Sequence, residues 1–247
     1  MAELGGKIAW VTGAGSGIGE AACLALAAAG AALVLTGRRA EPLEAVAARV
    51  AAAGGTATAM PGDLTRPETA GEIVAGIERR FGRLDLLVNN AGLNIAARAW
   101  RDLTPGSIDT VLQGNLSAAF YCAAAALVPM RRARDGVLIH TASWAGRHIS
   151  PVSGPAYTAA KHAVVAMSQS INVEEFRNGI RSTAILPAEV ATPILDRRPV
   201  PPSAEDRAAM LQPEDLGALI LFVATRPAGV CLNEVTISPT LNRMYGA

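Results

Sequence analysis

The feature that most constrains this chain lies near its start, where a short apolar run, Lys7 to Thr12 (KIAWVT), breaks into glycines. GAGSGIG follows, Gly13 to Gly19, and then EAACLALAAAG, an Ala-rich stretch that closes at Gly30. An unbroken apolar run that stops at glycines is the pattern of a strand buried on both faces of a parallel sheet. Parallel strands need crossover helices, so the rest of the chain has to alternate strand with helix. Strand, Gly-rich turn and helix in this order open a dinucleotide-binding βαβ unit. Glycines let the backbone turn tightly and approach a pyrophosphate, while the helix N-terminus offers it free N–H groups and a positive dipole end. The spacing here is T-G-x-x-x-G-x-G, on Gly13, Gly17 and Gly19, rather than the commoner G-x-G-x-x-G.

The expected alternation continues to the end. Ala31–Thr36 reads as a second strand, a helix runs from about Glu41 to Ala53, and Thr56–Met60 is a weak third strand. Arg66–Arg80 looks helical, Leu84–Val88 is the fourth strand, and a long helical stretch follows Pro105. Gly136–Thr141 and Gly179–Leu186 are strands five and six, on either side of a helix that begins at Pro155. A helix over Pro213–Thr225 and a strand over Val230–Ser238 complete the series. Seven strands alternating with helices predict a doubly wound α/β sheet with helices on both faces. Residues 1–247 read as one dinucleotide-binding domain, with an irregular Pro- and charge-rich loop at about 193–212 placed to cover a site. Hydrophobic residues make up 51% of the chain and aromatics only 4%, so its core has to be filled mostly by Ala, Leu, Val and Ile.

Charge and cysteine content exclude several classes of function. A net charge of +1 and the lack of a basic stripe with aromatics argue against nucleic acid as a partner. Three scattered cysteines without metal spacing point to reduced thiols and a cytoplasmic protein. The N-terminus lacks the apolar run of a signal peptide, and the apolar stretches are interrupted before about 18 residues, so no membrane span is expected.

Chemistry concentrates between Ser143 and Lys161. Tyr157 and Lys161 stand at i and i+4 and so share one helix face. An unperturbed Tyr titrates near ~10, and a Lys ammonium beside it would favour the phenolate and lower that value. A hydroxyl from Ser143, delivered by the fifth strand, could bond the same substrate oxygen. Asn115 lies in an apolar context, as a satisfied core polar group or as the holder of a water on a proton path. Asn89–Gly92 puts small residues at a strand's carboxyl end, where ligands sit in open α/β sheets. The second strand ends at Arg38 and Arg39 with no carboxylate. Guanidinium groups there suit the 2′-phosphate of NADP(H) and make NAD(H) the weaker choice, the alternative for them being a solvated helix start opposite Glu41 and Glu44.

With these residues in place, the chain resembles the short-chain dehydrogenase/reductase family over nearly its whole length. The likeness rests on TGAGSGIG (Thr12 to Gly19), Asp63, NNAG (Asn89 to Gly92), Asn115, Ser143, Tyr157 with Lys161, and Pro187 to Pro193. It implies a Rossmann fold with strand order 3-2-1-4-5-6-7. Tyr157 would be the general acid/base, Ser143 would orient the substrate oxygen, Lys161 would lower the Tyr157 pKa and bond the nicotinamide ribose, and Asn115 would support a proton-relay water. Gly13, Ser16, Gly17, Ile18 and Gly19 would line the pyrophosphate, Asp63 and Leu64 the adenine, and Asn89, Ala91 and Gly92 the cofactor's centre, with Pro187, Val190 and Thr192 near the nicotinamide. The implied activity is interconversion of a small-molecule ketone or aldehyde with an alcohol, in a homotetramer or homodimer. One departure is Pro187-Ala188, where the family has Pro-Gly. For the substrate pocket, Leu93, Ile95, Trp144, Ile149 and Val152 predict apolar walls for a hydrophobic or aromatic ketone; Arg98, Arg147 and His148 are read as solvated, the alternative being that they meet a carboxylate.

Overall fold

The seven apolar runs become strands β1 (Ile8–Thr12), β2 (Ala32–Thr36), β3 (Thr56–Ala59), β4 (Leu86–Asn89), β5 (Gly136–Thr141), β6 (Ile180–Pro187) and β7 (Glu234–Ile237). The structure is a computed structural model that describes residues 3–246. In it the strands form one sheet in the order β3-β2-β1-β4-β5-β6-β7, and every neighbouring pair is parallel. The helices are α1 (Gly17–Ala28), α2 (Ala40–Ala52), α3 (Pro67–Phe81), α4 (Pro105–Leu112), α5 (Ala118–Ala133), α6 (Pro155–Glu175), α7 (Ala204–Ala208) and α8 (Pro213–Ala224).

Side chains of a strand alternate between faces, and the core divides accordingly. Ile8 and Trp10 of β1, with Leu87 and Leu138, pack beneath α3, α5 and α6. Ala9 and Val11, with Leu86, Val88 and Ile139, pack beneath α1, α2 and α8. This two-sided burial is why the strands read as unbroken apolar runs. Leu87, Leu138 and Ile139 are fully sealed from solvent, and each such side chain contributes about 1.5–3 kcal/mol. The indole of Trp10 donates to Thr36 Oγ1 at 2.9 Å, so even the largest core residue has its polar atom satisfied.

Four details depart from the expected pattern. The last strand is shorter than Val230–Ser238, because only Glu234–Ile237 pairs with β6. The segment after Pro193 is less irregular than its composition implies. It holds a 3₁₀ turn (Pro193–Arg197), then α7, capped reciprocally by Ser203 and Asp206, and a bridge from Leu211 back to Val190. One π-helical turn, Gln113–Ser117, separates α4 from α5 and carries Asn115. Finally, the continuous helical stretch Pro105–Ala133 is long and apolar enough to cross a membrane, contrary to expectation. Half of its most apolar window is packed inside the fold, where α5 faces α3 and β4, so that apolar face serves the core.

The sheet order reverses between β1 and β4, which leaves a crevice at their carboxyl ends. Thr12 closes its floor: its Oγ1 accepts from the backbone N–H groups of Asn90 and Ala91, both at 2.9 Å.

Candidate active site

The cavity over this crevice, about 290 Å³, is walled on one side by the loop between β1 and α1. Gly13, Ser16, Gly17 and Ile18 line it. Gly19 stands behind them, because a Cβ there would lie 2.2 Å from the Gly13 carbonyl oxygen. Only a residue without a side chain allows this approach of helix to strand. Ser16 caps α1 with extended backbone and makes no side-chain capping bond, so the helix N-terminus faces the cavity with its amides free. Asn90 lines the cavity as well, and its Nδ2 donates to the carbonyl of Thr12 at 3.3 Å.

The catalytic candidates meet on the opposite wall. Ser143 ends the crossing from β5 and accepts from Ala145 N–H at 3.1 Å. Tyr157 is the third residue of α6 and Lys161 lies one turn on, both lining the cavity with Ser143 and Asn115. Lys161 is 4% exposed, and its Nζ donates to the Thr141 carbonyl at 2.8 Å. Burial pushes its ammonium down to about 8. The Asn115 amide is spent on backbone: Nδ2 donates to Leu93 O at 2.7 Å and to Val111 O at 2.8 Å, and Oδ1 accepts from Leu93 N–H at 3.2 Å. These bonds satisfy Asn115 as a core polar group and leave one acceptor lone pair on Oδ1, so both readings of the residue stand.

Tyr157 differs from expectation. Burial pushes its phenol above the ordinary tyrosine range, and three groups work the other way: the Ser143 hydroxyl and the charges of Arg98 and Arg198. The Lys161 ammonium, 5.5 Å from the ring centroid and bonded to Thr141 O, is not among them. Beneath the site His140 is fully buried, its Nδ1 3.3 Å from Asn89 Nδ2, and burial together with the Lys161 charge drives its imidazole down to about 3.

Several predicted residues are placed elsewhere. The Asn89 side chain turns inward and donates to Ala119 O at 2.8 Å, leaving the cavity edge to Asn90. Leu64 is a core residue and Ala91 packs against the same cluster. Asp63 accepts from Thr65 N–H and Oγ1, which with the Arg38 charge hold its carboxyl below the usual range. Arg38 and Arg39 are exposed just past β2, away from the main cavity. Pro187, Val190 and Thr192 line the cavity as expected, and so does Ala188. The only non-glycine residue with positive φ among the described residues is Arg134, so Ala188 sits on ordinary backbone and its methyl costs no strain there.

The substrate side is more charged than the apolar pocket expected. Leu93 and Val152 line it, joined by Ile194, Leu195 and Met244, whereas Trp144 and Ile149 belong to a separate recess with His148, which stacks on Trp144 at 4.1 Å. Ile95 lines neither. Arg147 pairs with Glu234 at 2.5 Å on the surface. Arg98, read as solvated, is 8% exposed and lines the main cavity. Glu189 is buried there too, accepting from Arg198 Nη1 at 2.6 Å and from Arg243 Nε at 2.9 Å, and these pairings outweigh burial to hold its carboxyl low. Asn94, Arg198 and Met244 carried no motif in the sequence, and Glu189 lay inside the Pro187 to Pro193 stretch with no role of its own.

A Rossmann sheet with a glycine loop at its crevice and a Ser, Tyr and Lys on the facing wall defines a class of nucleotide-linked oxidoreductase. The chain belongs to the short-chain dehydrogenase/reductase family: the family profile described as short chain dehydrogenase matches residues 7–200. An uncharacterized oxidoreductase of Staphylococcus aureus (strain MRSA252) is 34% identical over 239 residues, spanning 97% of this chain and 100% of the relative. Among solved structures, a metagenomic short-chain oxidoreductase in complex with NADP superposes with a TM-score of 0.84 at 30% identity, covering 97% of this chain and 99% of that one. An alcohol dehydrogenase from the archaeon Thermococcus sibiricus, complexed with 5-hydroxy-NADP, gives 0.86 at 26% identity, covering 96% and 98%. The protein is therefore an oxidoreductase of a family that binds a nicotinamide dinucleotide. Its own geometry fits that group: free amides at the α1 N-terminus, a glycine at each point where a side chain would intrude, and one cavity running from there to Tyr157.

Proposed function

We propose that this chain is an NADP(H)-dependent oxidoreductase that interconverts a ketone or aldehyde with an alcohol, with Tyr157 as general acid/base. The reading is carried by one observation: Tyr157, Ser143, Lys161 and Asn115 line the same cavity as Gly13, Ser16, Gly17 and Ile18. In this reading the glycine loop and α1 hold the pyrophosphate, Lys161 reaches the nicotinamide ribose, and Pro187, Val190 and Thr192 flank the nicotinamide. When bound, the nicotinamide supplies or accepts the hydride.

The protein's part is position and proton. The hydroxyls of Ser143 and Tyr157 point a carbonyl oxygen, and the oxygen takes its proton from Tyr157 as it becomes an alcohol. Burial favours the phenol form of Tyr157, which is the form that donates the proton when a carbonyl is reduced, and its phenolate is the form that accepts one when an alcohol is oxidised. The free lone pair of Asn115 Oδ1 is available to a water that reloads the proton. The sheet and its helices act as one dinucleotide-binding domain, with the 193–212 segment as its cover, and the family likeness implies a homotetramer or homodimer.

The choice of NADP(H) is supported by Arg38 and Arg39, exposed beyond β2 with no carboxylate on that strand end. The NADP-bound metagenomic relative agrees with it. Titration with NADPH and with NADH at one salt concentration tests it. Tighter NADPH binding is expected, and equal or tighter NADH binding overturns the choice.

A further inference from the structure

The substrate side of the cavity is built around charge. Arg98 comes from the loop after β4, Glu189 and Arg198 from the segment after β6, and Arg243 from the C-terminal turn. Every carboxylate of this cluster has an arginine: Glu189 pairs with Arg198 and Arg243, Asp206 with Arg243, and Asp196 with Arg207. Three guanidinium groups, Arg198, Arg207 and Arg243, thus meet the three carboxylates, and Arg98, buried beside them, pairs with none of these. Its Nη1 donates to Val152 O at 3.1 Å and its Nη2 to Arg197 O at 2.8 Å, while its Nε is buried without a partner.

Arg98 is held in place rather than left to swing. Gly154, at φ +77°, abuts it so closely that a Cβ there would lie 2.7 Å from the Arg98 carbonyl oxygen and 2.9 Å from its Cβ. Fastening two loops through two neutral carbonyls leaves the charge itself unanswered. A guanidinium has five N–H groups in a planar fork matched to a carboxylate, and burying one with neither counter-ion nor full hydrogen bonding is expensive. The cation therefore calls for an anion from outside the chain, and the cavity it lines also holds Tyr157 and Ser143.

We propose that the substrate is a small anionic carbonyl or hydroxy compound of the carboxylate class, its carboxylate received by Arg98 with Arg198 beside it while its oxygen meets Tyr157 and Ser143. This rests on the oxidoreductase reading of the site. The anion needs two stations, one for the carboxylate among the arginines and one for the reacting oxygen at the hydroxyls, within a cavity that the nicotinamide end also shares. Short oxo acids and hydroxy acids meet that requirement.

The test is calorimetric titration of the protein, with and without NADP+, by two matched pairs: benzoate against benzamide and butyrate against butyramide, with inorganic phosphate as a further ligand. Each acid is expected to bind at least tenfold more tightly than its amide, and Arg98→Gln is expected to erase the difference while Arg98→Lys retains part of it. Equal binding of acid and amide by the unaltered protein overturns the proposal without any variant, so poor folding of Arg98→Gln does not shelter it. Phosphate binding as tightly as benzoate overturns the carboxylate assignment. An Arg98→Gln protein that shifts the tyrosinate titration of Tyr157 but keeps the acid preference also overturns it, because the arginine would then serve Tyr157 alone. Acids that bind tenfold tighter while phenylglyoxylate and acetoacetate go unreduced, and their hydroxy acids unoxidised, with either nicotinamide cofactor would leave the anion site standing and overturn the carbonyl–alcohol activity proposed for it instead.

Discussion

On one side of Tyr157 the cavity wall is main chain. Gly13 and Gly17 form it with Ser16 and Ile18, and the specificity of that wall lies in what its glycines leave out. On the other side the wall is side chain: Arg98, Glu189 and Arg198 fasten three loops and the C-terminal turn to one another through ion pairs and carbonyl bonds. A backbone wall recognises a shape common to many ligands and tolerates most substitutions. A wall of charged side chains can be re-specified by one residue. The two halves should therefore separate cleanly under mutation, cofactor affinity following the first and substrate choice the second.

Tyr157 stands at the seam, and altering it should produce the largest effect. Tyr157→Phe removes the proton donor while keeping the ring, so kcat should fall by about 10²–10⁴, the usual contribution of a positioned acid or base. NADPH affinity, measured by fluorescence titration, should move by no more than about threefold, a change below 1 kcal/mol. A variant that keeps a tenth of the activity would remove Tyr157 from the mechanism.

Gly19→Ala attacks the backbone half alone. Its methyl would press on the Gly13 carbonyl oxygen at 2.2 Å and on Asn90 Nδ2 at 2.8 Å, and because the first of these is main chain the loop has no relief but displacement. NADPH affinity should weaken by roughly 10- to 100-fold, on the order of 1.4–2.7 kcal/mol. The acid-over-amide preference of the other half should be unchanged. If both fall together, the halves are one cooperative unit and the comparison fails.

Arg38→Asp refines the same half. A charge-assisted hydrogen bond is worth about 1.5–3 kcal/mol where it is sheltered, and less at an exposed position. The NADPH-to-NADH affinity ratio should therefore fall by about tenfold. An unchanged ratio in paired titrations would return Arg38 to the role of a solvated helix start.

The backbone half was also the half that could be read in advance. Its strands are continuous apolar runs because both faces of the sheet are covered, and its glycines are needed where they stand. Tyr157 and Lys161 were legible because a helical i, i+4 pair fixes its own geometry, and Ser143 because a strand delivers it at its carboxyl end. The π-turn at Asn115 was not, since one residue more per turn leaves the composition of Pro105–Ala133 entirely helical. The arginine wall was illegible for a different reason. Arg98, Glu189, Arg198 and Arg243 are scattered over three segments without a common period, and each alone looks like a solvated loop charge. Only the fold brings them together, and burial then changes what they are.

The smallest effect expected concerns the floor that both halves share. Asn89 and His140 lie side by side at the ends of β4 and β5, beneath the point where glycine loop and arginine wall meet. Burial holds the His140 imidazole neutral, its pKa down from 6.5 to about 3. Above pH 6.5 the residue is neutral in both folded and unfolded chains and contributes no pH dependence. Between 6.5 and 3 the unfolded chain takes up a proton that the folded one refuses, so stability declines with falling pH, by at most about 1.4 kcal/mol per pH unit. Denaturant unfolding at pH 7, 6 and 5 should show this slope, and His140→Gln, which keeps a polar partner for Asn89, should remove up to one proton's worth of it. Parallel decline in both proteins would mean that His140 titrates freely and that the floor is open to water. A flattened slope with both ligand preferences intact would instead mark the floor as common support, leaving recognition to the two walls above it.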